Sequence, residues 1–234
     1  MSLRSMPVFG SLYPEPPYIY EGTRLLMVLY QVEREQVENI LPEEFKISRR
    51  VMAMAFIAEY PKSTIGPYYE AATFFEVTYK GEKGKKTGLY CNSMFVDSDI
   101  AMAAGREIWG FPKKLANMIL NKEDNEVIGI LNRKNIDLMR IDLKIKEEVS
   151  ELPIPEVPLI TIRQFFEPGG GTYALKQVQG TIMELVPEKV YWGETSLQFN
   201  KSSEDPIYFL EPISVIGGYY ITLKKGVLPY GEIY

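Results

Sequence analysis

Short apolar runs, separated by glycine and proline, constrain the fold of this chain more than any other feature. The 234 residues include 18 glycines and 16 prolines. Many of the runs between them are rich in β-branched and aromatic residues, as in residues 73–80, 87–96 and 213–223, and such residues favour strands. This punctuation is typical of β-rich folds and unlike a helical bundle. The sequence predicts a mainly β fold, an antiparallel closed β-barrel or cone with additional flanking strands and a few peripheral helices.

Two helices are predicted between the strands. Residues 33–40 form a short charged segment that stops at Leu41-Pro42, because proline cannot continue a helix. Residues 97–109 begin with Asp and Ser, which cap helices, and continue through small residues. The chain has no internal repeat and no linker long enough to separate domains, although residues 150–158 are rich in proline. We therefore expect one domain over residues 1–234.

The chain contains no histidine. This excludes Ser-His-Asp and Cys-His triads, H-E-x-x-H zinc proteases and imidazole metal ligands. The single cysteine, Cys91, lies in an apolar run without an adjacent base and is expected to be buried and inert. One cysteine cannot form an intramolecular disulfide, so we expect a reducing, cytoplasmic location. No metal site is expected, and proton chemistry must come from Lys, Glu, Asp, Tyr or Cys91.

The charge pattern and the hydropathy of the chain limit the classes of partner that it is expected to bind. The net charge is −5, and basic residues are scattered apart from the cluster at residues 83–86. This pattern argues against nucleic acid and anionic membranes as partners. No run of 18 apolar residues occurs, so no membrane span is predicted. Residues 168–171, PGGG, lack the Gly-Lys-Ser/Thr ending of a phosphate loop and predict a turn.

Residues 105–114, GREIWGFPKK, are the most informative for function. A helix is predicted to end before Pro112, which drives Phe111 toward extended backbone. If the chain stays extended, Lys113 and Lys114 point to opposite faces. Most lysines are exposed, but the neighbouring aromatic residues Trp109 and Phe111 favour one buried amine. Burial disfavours the charged ammonium form of that amine. A neutral amine is a nucleophile toward ketones.

Residues 105–116, GREIWGFPKKLA, resemble the signature of the acetoacetate decarboxylase family. The similarity extends from PYIYEGTRLLMVLY at residue 17, through GPYYE at residues 66–70, to GYYITLKKGVLPYGEIY at the C-terminal end. Enzymes of that family are a known example of a lysine amine that its surroundings make nucleophilic. The resemblance implies the same β fold, a small keto-acid substrate, no organic cofactor and a homo-oligomer.

Site residues carry over from the resemblance position by position. Lys113 is implied to form a Schiff base with substrate, and Lys114 to be the neighbouring cation credited with favouring its neutral form. Glu70, which closes GPYYE, corresponds to an active-site glutamate. Arg24 corresponds to an arginine that faces the substrate carboxylate, and Phe111 is expected to line the substrate site.

The chain departs from the family pattern at Ala55. The family decarboxylase has a second active-site glutamate fifteen residues before the position of Glu70, and alanine stands there in this chain. Glu59 shares a strand face with Ala55 but lies about 13 Å further along, which makes it a poor substitute. The absent glutamate is expected to affect the decarboxylation step more than formation of the Schiff base, because Lys113, Arg24 and Glu70 are all present.

Three functions are compatible with the sequence. The leading hypothesis is a lysine Schiff-base lyase that decarboxylates a small β-keto acid such as acetoacetate to a ketone and CO₂. The second is an aldolase, dehydratase or hydrolase of the same family that uses the imine on a different keto acid, with Ala55 leaving room. The third is a non-catalytic β-barrel that binds an apolar or keto-acid ligand in a pocket lined by residues such as Met52, Met54, Phe74 and Tyr90.

Overall fold

The computed structural model describes residues 4–154 and 156–234. Strands dominate, as predicted, and the helices are few and short. The strands are β1 (Tyr18–Val32), β2 (Phe45–Lys46), β3 (Val51–Tyr60), β4 (Lys62–Ser63), β5 (Tyr68–Gly81), β6 (Gly84–Val96), β7 (Lys113–Leu115), β8 (Asn117–Glu123), β9 (Glu126–Arg133), β10 (Ile136–Val149), β11 (Leu159–Phe166), β12 (Tyr173–Thr181), β13 (Glu184–Phe199), β14 (Ser214–Leu228) and β15 (Glu232–Ile233). The helices are α1 (Arg34–Glu38), α2 (Asp99–Ala104), a π-helical turn (Gly105–Trp109) and a 3₁₀ helix (Ile207–Leu210).

The strands form one sheet in the order β15-β12-β11-β6-β5-β3-β1-β14-β13-β10-β9-β8, with β2, β4 and β7 pairing to its members. Most pairs are antiparallel, whereas β11 and β7 each run parallel to β6. Among the described residues, the end strands β15 and β8 do not pair with each other. The mainly β prediction is confirmed, but the predicted closure into a barrel is not.

Buried side chains cover both faces of the central strands. On β3, alternate residues enter a first core that contains Ala53, Ala55 and Ile57, while the residues between them enter a second core that contains Met54 and Phe56. A strand that is buried on both faces is expected to be a continuous apolar run, as β3 is. Strands β8 and β9 also contact β3, so the sheet folds over the first core. The candidate site lies in the second core.

The predicted helix at residues 97–109 is confirmed in extent but consists of two parts. The Ser98 side chain caps α2 by accepting a hydrogen bond from the Ala101 backbone. The π-helical turn follows and ends at Gly110, whose φ of 71° is the left-handed conformation that glycine favours. The other predicted helix, at residues 33–40, is confirmed as α1. Among residues 4–154 and 156–234, no helix is long and apolar enough to cross a membrane.

Candidate active site

The two adjacent lysines at the start of β7, Lys113 and Lys114, point to opposite sides of the strand. Pro112 follows the π-helical turn, and Lys113 pairs with Met94 at the start of the parallel β6–β7 ladder. Lys113 is buried whereas Lys114 is exposed. This alternation follows from the extended backbone and confirms that the two side chains point in opposite directions.

Gly105, in the π-helical turn, makes room for the side chain of Lys113. A Cβ atom placed at Gly105 would lie 2.5 Å from Cε and 2.6 Å from Cδ of Lys113. Both distances are shorter than van der Waals contact allows, so the lysine stem packs directly on the bare backbone of the helix. The glycine therefore sets the path by which the amine reaches the second core.

The amine of Lys113 lies in a buried ion pair. Its Nζ is 2.7 Å from Oε2 of Glu70, and the two side chains are only 7% and 8% exposed. The rings of Tyr68 and Phe111 flank Nζ, with centroids 5.7 Å and 5.8 Å away. Trp109 is not one of these neighbours, because its indole donates to the Pro229 carbonyl and packs elsewhere in the core. Of the aromatic residues expected beside the amine, Phe111 lies there and Trp109 does not, while Tyr68 takes the second place.

Tyrosines complete the polar surroundings of this pair. The Tyr60 hydroxyl donates to Oε1 of Glu70 at 3.2 Å, and the Tyr68 hydroxyl donates to the Tyr20 hydroxyl at 3.4 Å. Burial, reinforced by the negative charge of Glu70, raises the pKa of Tyr60 well above its usual range. Burial and the neighbouring Tyr20 do the same to the pKa of Tyr68. These phenols stay protonated and act as hydrogen-bond donors.

Lys113 and Glu70 lie in the wall of a cavity of about 490 Å³. Apolar side chains form most of the wall, and the exposed lining residues Glu156, Ile182 and Glu184 mark its opening to solvent. Among the described residues that line the cavity, Lys113 is the one cationic side chain. A cavity of this kind, with few convergent polar groups in an apolar wall, is typical of small-molecule sites.

Thr23 adds an unsatisfied polar atom to the wall. Strand β1 changes phase at Gly22, whose φ is 68°, so that Tyr20 before it and Thr23 after it both line the cavity. Thr23 is 2% exposed, and its hydroxyl has no hydrogen-bond partner among residues 4–154 and 156–234. A buried hydroxyl without a partner is costly, and in a cavity wall such a group is a candidate contact for a bound ligand.

The structure does not bring Arg24 to Lys113. Arg24 pairs with Glu59 in the register of β1 and β3, and the two side chains form an ion pair. Its neighbours Thr23 and Leu25 line the cavity, so Arg24 faces the other side of the sheet. The carboxylate-binding role implied by the resemblance does not fit this position.

Ala55 also lies outside the cavity wall. It is fully buried in the first core, whereas Met54 and Phe56 on either side of it line the cavity. The residue directly opposite Glu70 on β3 is Ala58, not Ala55. An acid at position 55 would therefore face away from Lys113, and the alanine there leaves no gap in the site. Glu59 shares the face of Ala55, which explains why it pairs with Arg24.

Lys114 lies on the outer side of the sheet. Its Nζ is 2.5 Å from Oδ1 of Asp205 and 3.0 Å from the Glu204 carbonyl oxygen. Asp205 is buried and also accepts a hydrogen bond from Arg133 at 3.0 Å. The ammonium of Lys114 is thus held away from the cavity by a separate ion-pair cluster.

Sequence reasoning missed Thr23, Tyr20, Tyr60 and Tyr68. The only signal in the sequence is that each of them lies within a few residues of a predicted site residue along the chain. Of the pocket proposed from methionines and aromatics, Met54 and Phe74 line the cavity, while Tyr90 packs on the first core. Cys91 is buried, as expected, and burial raises the pKa of its thiol well above the usual range.

Known proteins match both the sequence and the fold. Residues 5–228 match the family profile described as acetoacetate decarboxylase. The chain is 34% identical to acetoacetate decarboxylase of Acidiphilium cryptum over 128 residues, which are 55% of this chain and about half, 51%, of that relative.

Among solved structures, acetoacetate decarboxylase of Legionella pneumophila superposes with a TM-score of 0.83 at 26% identity, covering 98% of this chain and 92% of that one. The enduracididine biosynthesis enzyme MppR shares the fold, with a TM-score of 0.79 at 14% identity over 100% of this chain and 98% of that one. The family match covers nearly the whole chain. The chain belongs to the acetoacetate decarboxylase family.

Proposed function

We propose that this chain is a lysine Schiff-base lyase that decarboxylates β-keto acids, with Lys113 as the nucleophile. The observation that carries the proposal is the buried Lys113–Glu70 pair, 2.7 Å apart, in the wall of an apolar cavity. A structural ion pair has no need of a cavity, and burying one costs desolvation that the pair does not always recover. A nucleophile needs both burial and access to substrate.

Glu70 accepts the proton that Lys113 must lose before it attacks. Its Oε2 lies within hydrogen-bond distance of Nζ, as a general base requires. The Tyr60 hydroxyl donates to the other oxygen of the same carboxyl group and fixes its orientation. The amine is thereby delivered to the cavity with a proton acceptor already in place.

The neutral amine adds to the ketone carbon, and loss of water gives a protonated imine. The bond between the carboxylate carbon and the α-carbon then breaks, CO₂ leaves, and the electron pair moves to the iminium nitrogen to form an enamine. Protonation of the α-carbon by Glu70 regenerates an imine, and water hydrolyses it to free the ketone and Lys113. Loss of water to give the protonated imine takes up one proton from solvent, so that each turnover converts the keto-acid anion and one proton into the ketone and CO₂.

The electrostatics of the wall favour departure of CO₂. Among the described lining residues the one cation is Lys113, which becomes the iminium. The substrate carboxylate has no arginine to hold its charge, and it lies near Glu70 in apolar surroundings. Such surroundings destabilise a localised carboxylate more than the charge-dispersed transition state. The position of Arg24 outside the cavity is consistent with this reaction.

Among the described lining residues, Thr23 carries the one buried hydroxyl without a hydrogen-bond partner. It is the position at which a substrate oxygen gains a hydrogen bond without displacing a protein partner. We assign it to positioning the substrate carboxyl or carbonyl group.

The proposal is tested by incubating the protein with acetoacetate and measuring CO₂ and acetone. We expect equal amounts of both from the unaltered protein and none above background from Lys113→Gln. Release of CO₂ by the Lys113→Gln variant at the rate of the unaltered protein would overturn the proposal.

A second candidate is carbon–carbon bond formation through the same imine. MppR, which shares the fold, is described in complex with pyruvate and with the condensation product of pyruvate and imidazole 4-carboxaldehyde. The cavity volume of about 490 Å³ is the observation that favours it, because two reactants fit there. Product formation from pyruvate and an aldehyde, without CO₂ from acetoacetate, would select this reaction over decarboxylation.

A further inference from the structure

We infer that the substrate is a mono-carboxylic β-keto acid with an extended apolar chain, rather than four-carbon acetoacetate. This inference rests on the proposed imine chemistry at Lys113 and names the substrate class of that site. Its basis is the mismatch between acetoacetate and the size, lining and charge of the cavity.

The cavity is larger than a four-carbon acid requires. Its volume of about 490 Å³ falls within the range of roughly 300–1,000 Å³ that is usual for sites enclosing drug-sized ligands. Acetoacetate is far smaller than such a ligand and would leave most of the apolar wall in contact with water. Water in an apolar cavity is unfavourable, and a longer chain displaces it.

The apolar wall extends well away from the reacting amine. Glu70 lies on β5, and the wall continues across β3, β1 and β14 to Leu185 on β13. Four strand spacings of about 4.8 Å correspond to roughly 19 Å along the sheet surface. Gly226 on β14 pairs with Leu185 and contributes no side chain to this stretch of the wall.

The side chains of this wall suit a flexible aliphatic chain. Four methionines line the cavity, namely Met27, Met54, Met94 and Met183. Methionine is unbranched and adapts to ligands of different shape. No cation accompanies them among the described lining residues besides Lys113, so the far wall offers no ion-pair partner to an anionic substituent.

The charges at the opening exclude a second carboxylate. Glu156 and Glu184 line the exposed end of the cavity. A dicarboxylic keto acid bound through Lys113 would bring its distal carboxylate toward these two acids. Like charges repel there, so the far end of the substrate is expected to be uncharged.

The experiment compares kcat/KM for straight-chain β-keto acids of four, six and eight carbons. Each added methylene that is buried is worth up to about 0.8 kcal/mol, or about fourfold, and we expect the eight-carbon acid to exceed acetoacetate at least tenfold. The eight-carbon acid with a carboxylate at each end is expected to fall below its mono-carboxylic counterpart by a similar factor. Equal or falling kcat/KM with length, or equal turnover of the dicarboxylic acid, would overturn the inference.

Two variants locate the chain-binding region. Leu185→Trp fills the far wall and is expected to lower the eight-to-four-carbon ratio of kcat/KM at least tenfold. Val186→Trp, at the adjacent exposed position, is the matched control and is expected to leave that ratio within twofold. A ratio that falls equally in both variants would contradict the assignment of the chain to this wall.

Thermal unfolding with methyl ketones separates this inference from the proposed function. Ligand that binds the folded state raises the midpoint according to its concentration and affinity, and binding in the cavity needs no turnover. We expect 2-nonanone to match the stabilisation by acetone at a concentration at least 30-fold lower. The same length dependence in a protein that releases no CO₂ would overturn the proposed function and support the cavity inference. Decarboxylation of acetoacetate together with equal stabilisation by both ketones would overturn the inference and leave the proposed function intact.

Discussion

The ammonium groups of Lys113 and Lys114 are adjacent in the chain but belong to separate ion pairs on opposite sides of the sheet. Lys113 contacts Glu70 in the second core, and Lys114 contacts Asp205 on the outer side. Their separation is the direct result of extended backbone after Pro112. The proposed chemistry therefore depends on one of the two lysines.

Lys114→Gln is expected to keep activity within about threefold of the unaltered protein, because Asp205 retains Arg133 as a partner. Lys113→Gln is expected to lower kcat by at least about a thousandfold, since it removes the nucleophile. The measurement is steady-state decarboxylation of the keto acid that is turned over best. A loss in Lys114→Gln as large as that in Lys113→Gln would show that both amines act in the reaction.

Gly105→Ala is expected to displace Lys113 and lower kcat/KM roughly a hundredfold. The added methyl group would meet the lysine stem at 2.5 Å, and a shift of about 1 Å in a reacting group has effects of this size. Gly169→Ala is the matched control, because an added Cβ there meets nothing within 4 Å. Unchanged kinetics in Gly105→Ala would show that the lysine side chain takes another path.

Thr23→Val is expected to raise KM about three- to tenfold with a smaller change in kcat. The substitution removes a hydrogen bond to substrate but keeps the shape of the side chain. It also removes a buried hydroxyl without a partner, so the free energy of unfolding of the unliganded protein is expected to stay level or rise by about 1 kcal/mol.

Thr222→Val is the control for this change. The Thr222 hydroxyl is also buried without a partner, but Thr222 pairs with Arg24 on the face away from the cavity. Steady-state kinetics and thermal unfolding of both variants distinguish the two positions. The same rise in KM in both would remove Thr23 from substrate binding.

Alkaline pH is expected to destabilise the protein through its buried tyrosines. Burial raises the pKa of Tyr60 and Tyr68, so the folded state keeps protons that the unfolded state releases near pH 10. Stability is therefore complete below about pH 10 and falls above it, by about 1.4 kcal/mol per pH unit for each such tyrosine. Unfolding midpoints between pH 9 and 11 measure the slope.

Tyr60→Phe is expected to make the fall of stability with pH shallower, because the folded protein then retains one fewer phenolic proton above pH 10. Tyr230→Phe, at an exposed position, serves as the control and is expected to leave the slope unchanged. A slope that is unaffected by Tyr60→Phe would show that Tyr60 titrates alike in both states.

The strand-rich fold and the burial of one of the two lysines were predictable because local sequence determines them. The β-branched runs between Gly and Pro predict strands, and the helix end, Pro112 and two lysines predict one buried amine. Closure of the sheet was not predictable, since it depends on whether the end strands β15 and β8 meet, and no local pattern reports that.

The sides of the sheet on which Arg24 and Ala55 lie were not predictable for a different reason. Strand β3 is buried on both faces, so hydrophobic alternation gives no sign of which of its faces borders the cavity. The phase change at Gly22 adds to this, because it moves Thr23 rather than Gly22 onto the cavity side. Only the three-dimensional register shows that Arg24 and Ala55 face away.

Reductive trapping tests directly whether Lys113 forms the proposed Schiff base. The protein is incubated with acetoacetate, reduced with borohydride and digested, and the modified peptide is identified by mass spectrometry. Imine formation by Lys113 predicts an isopropyl adduct on Lys113 and not on Lys114, and the loss of that adduct when borohydride is omitted. Turnover without an adduct, or an adduct confined to another lysine, would contradict it.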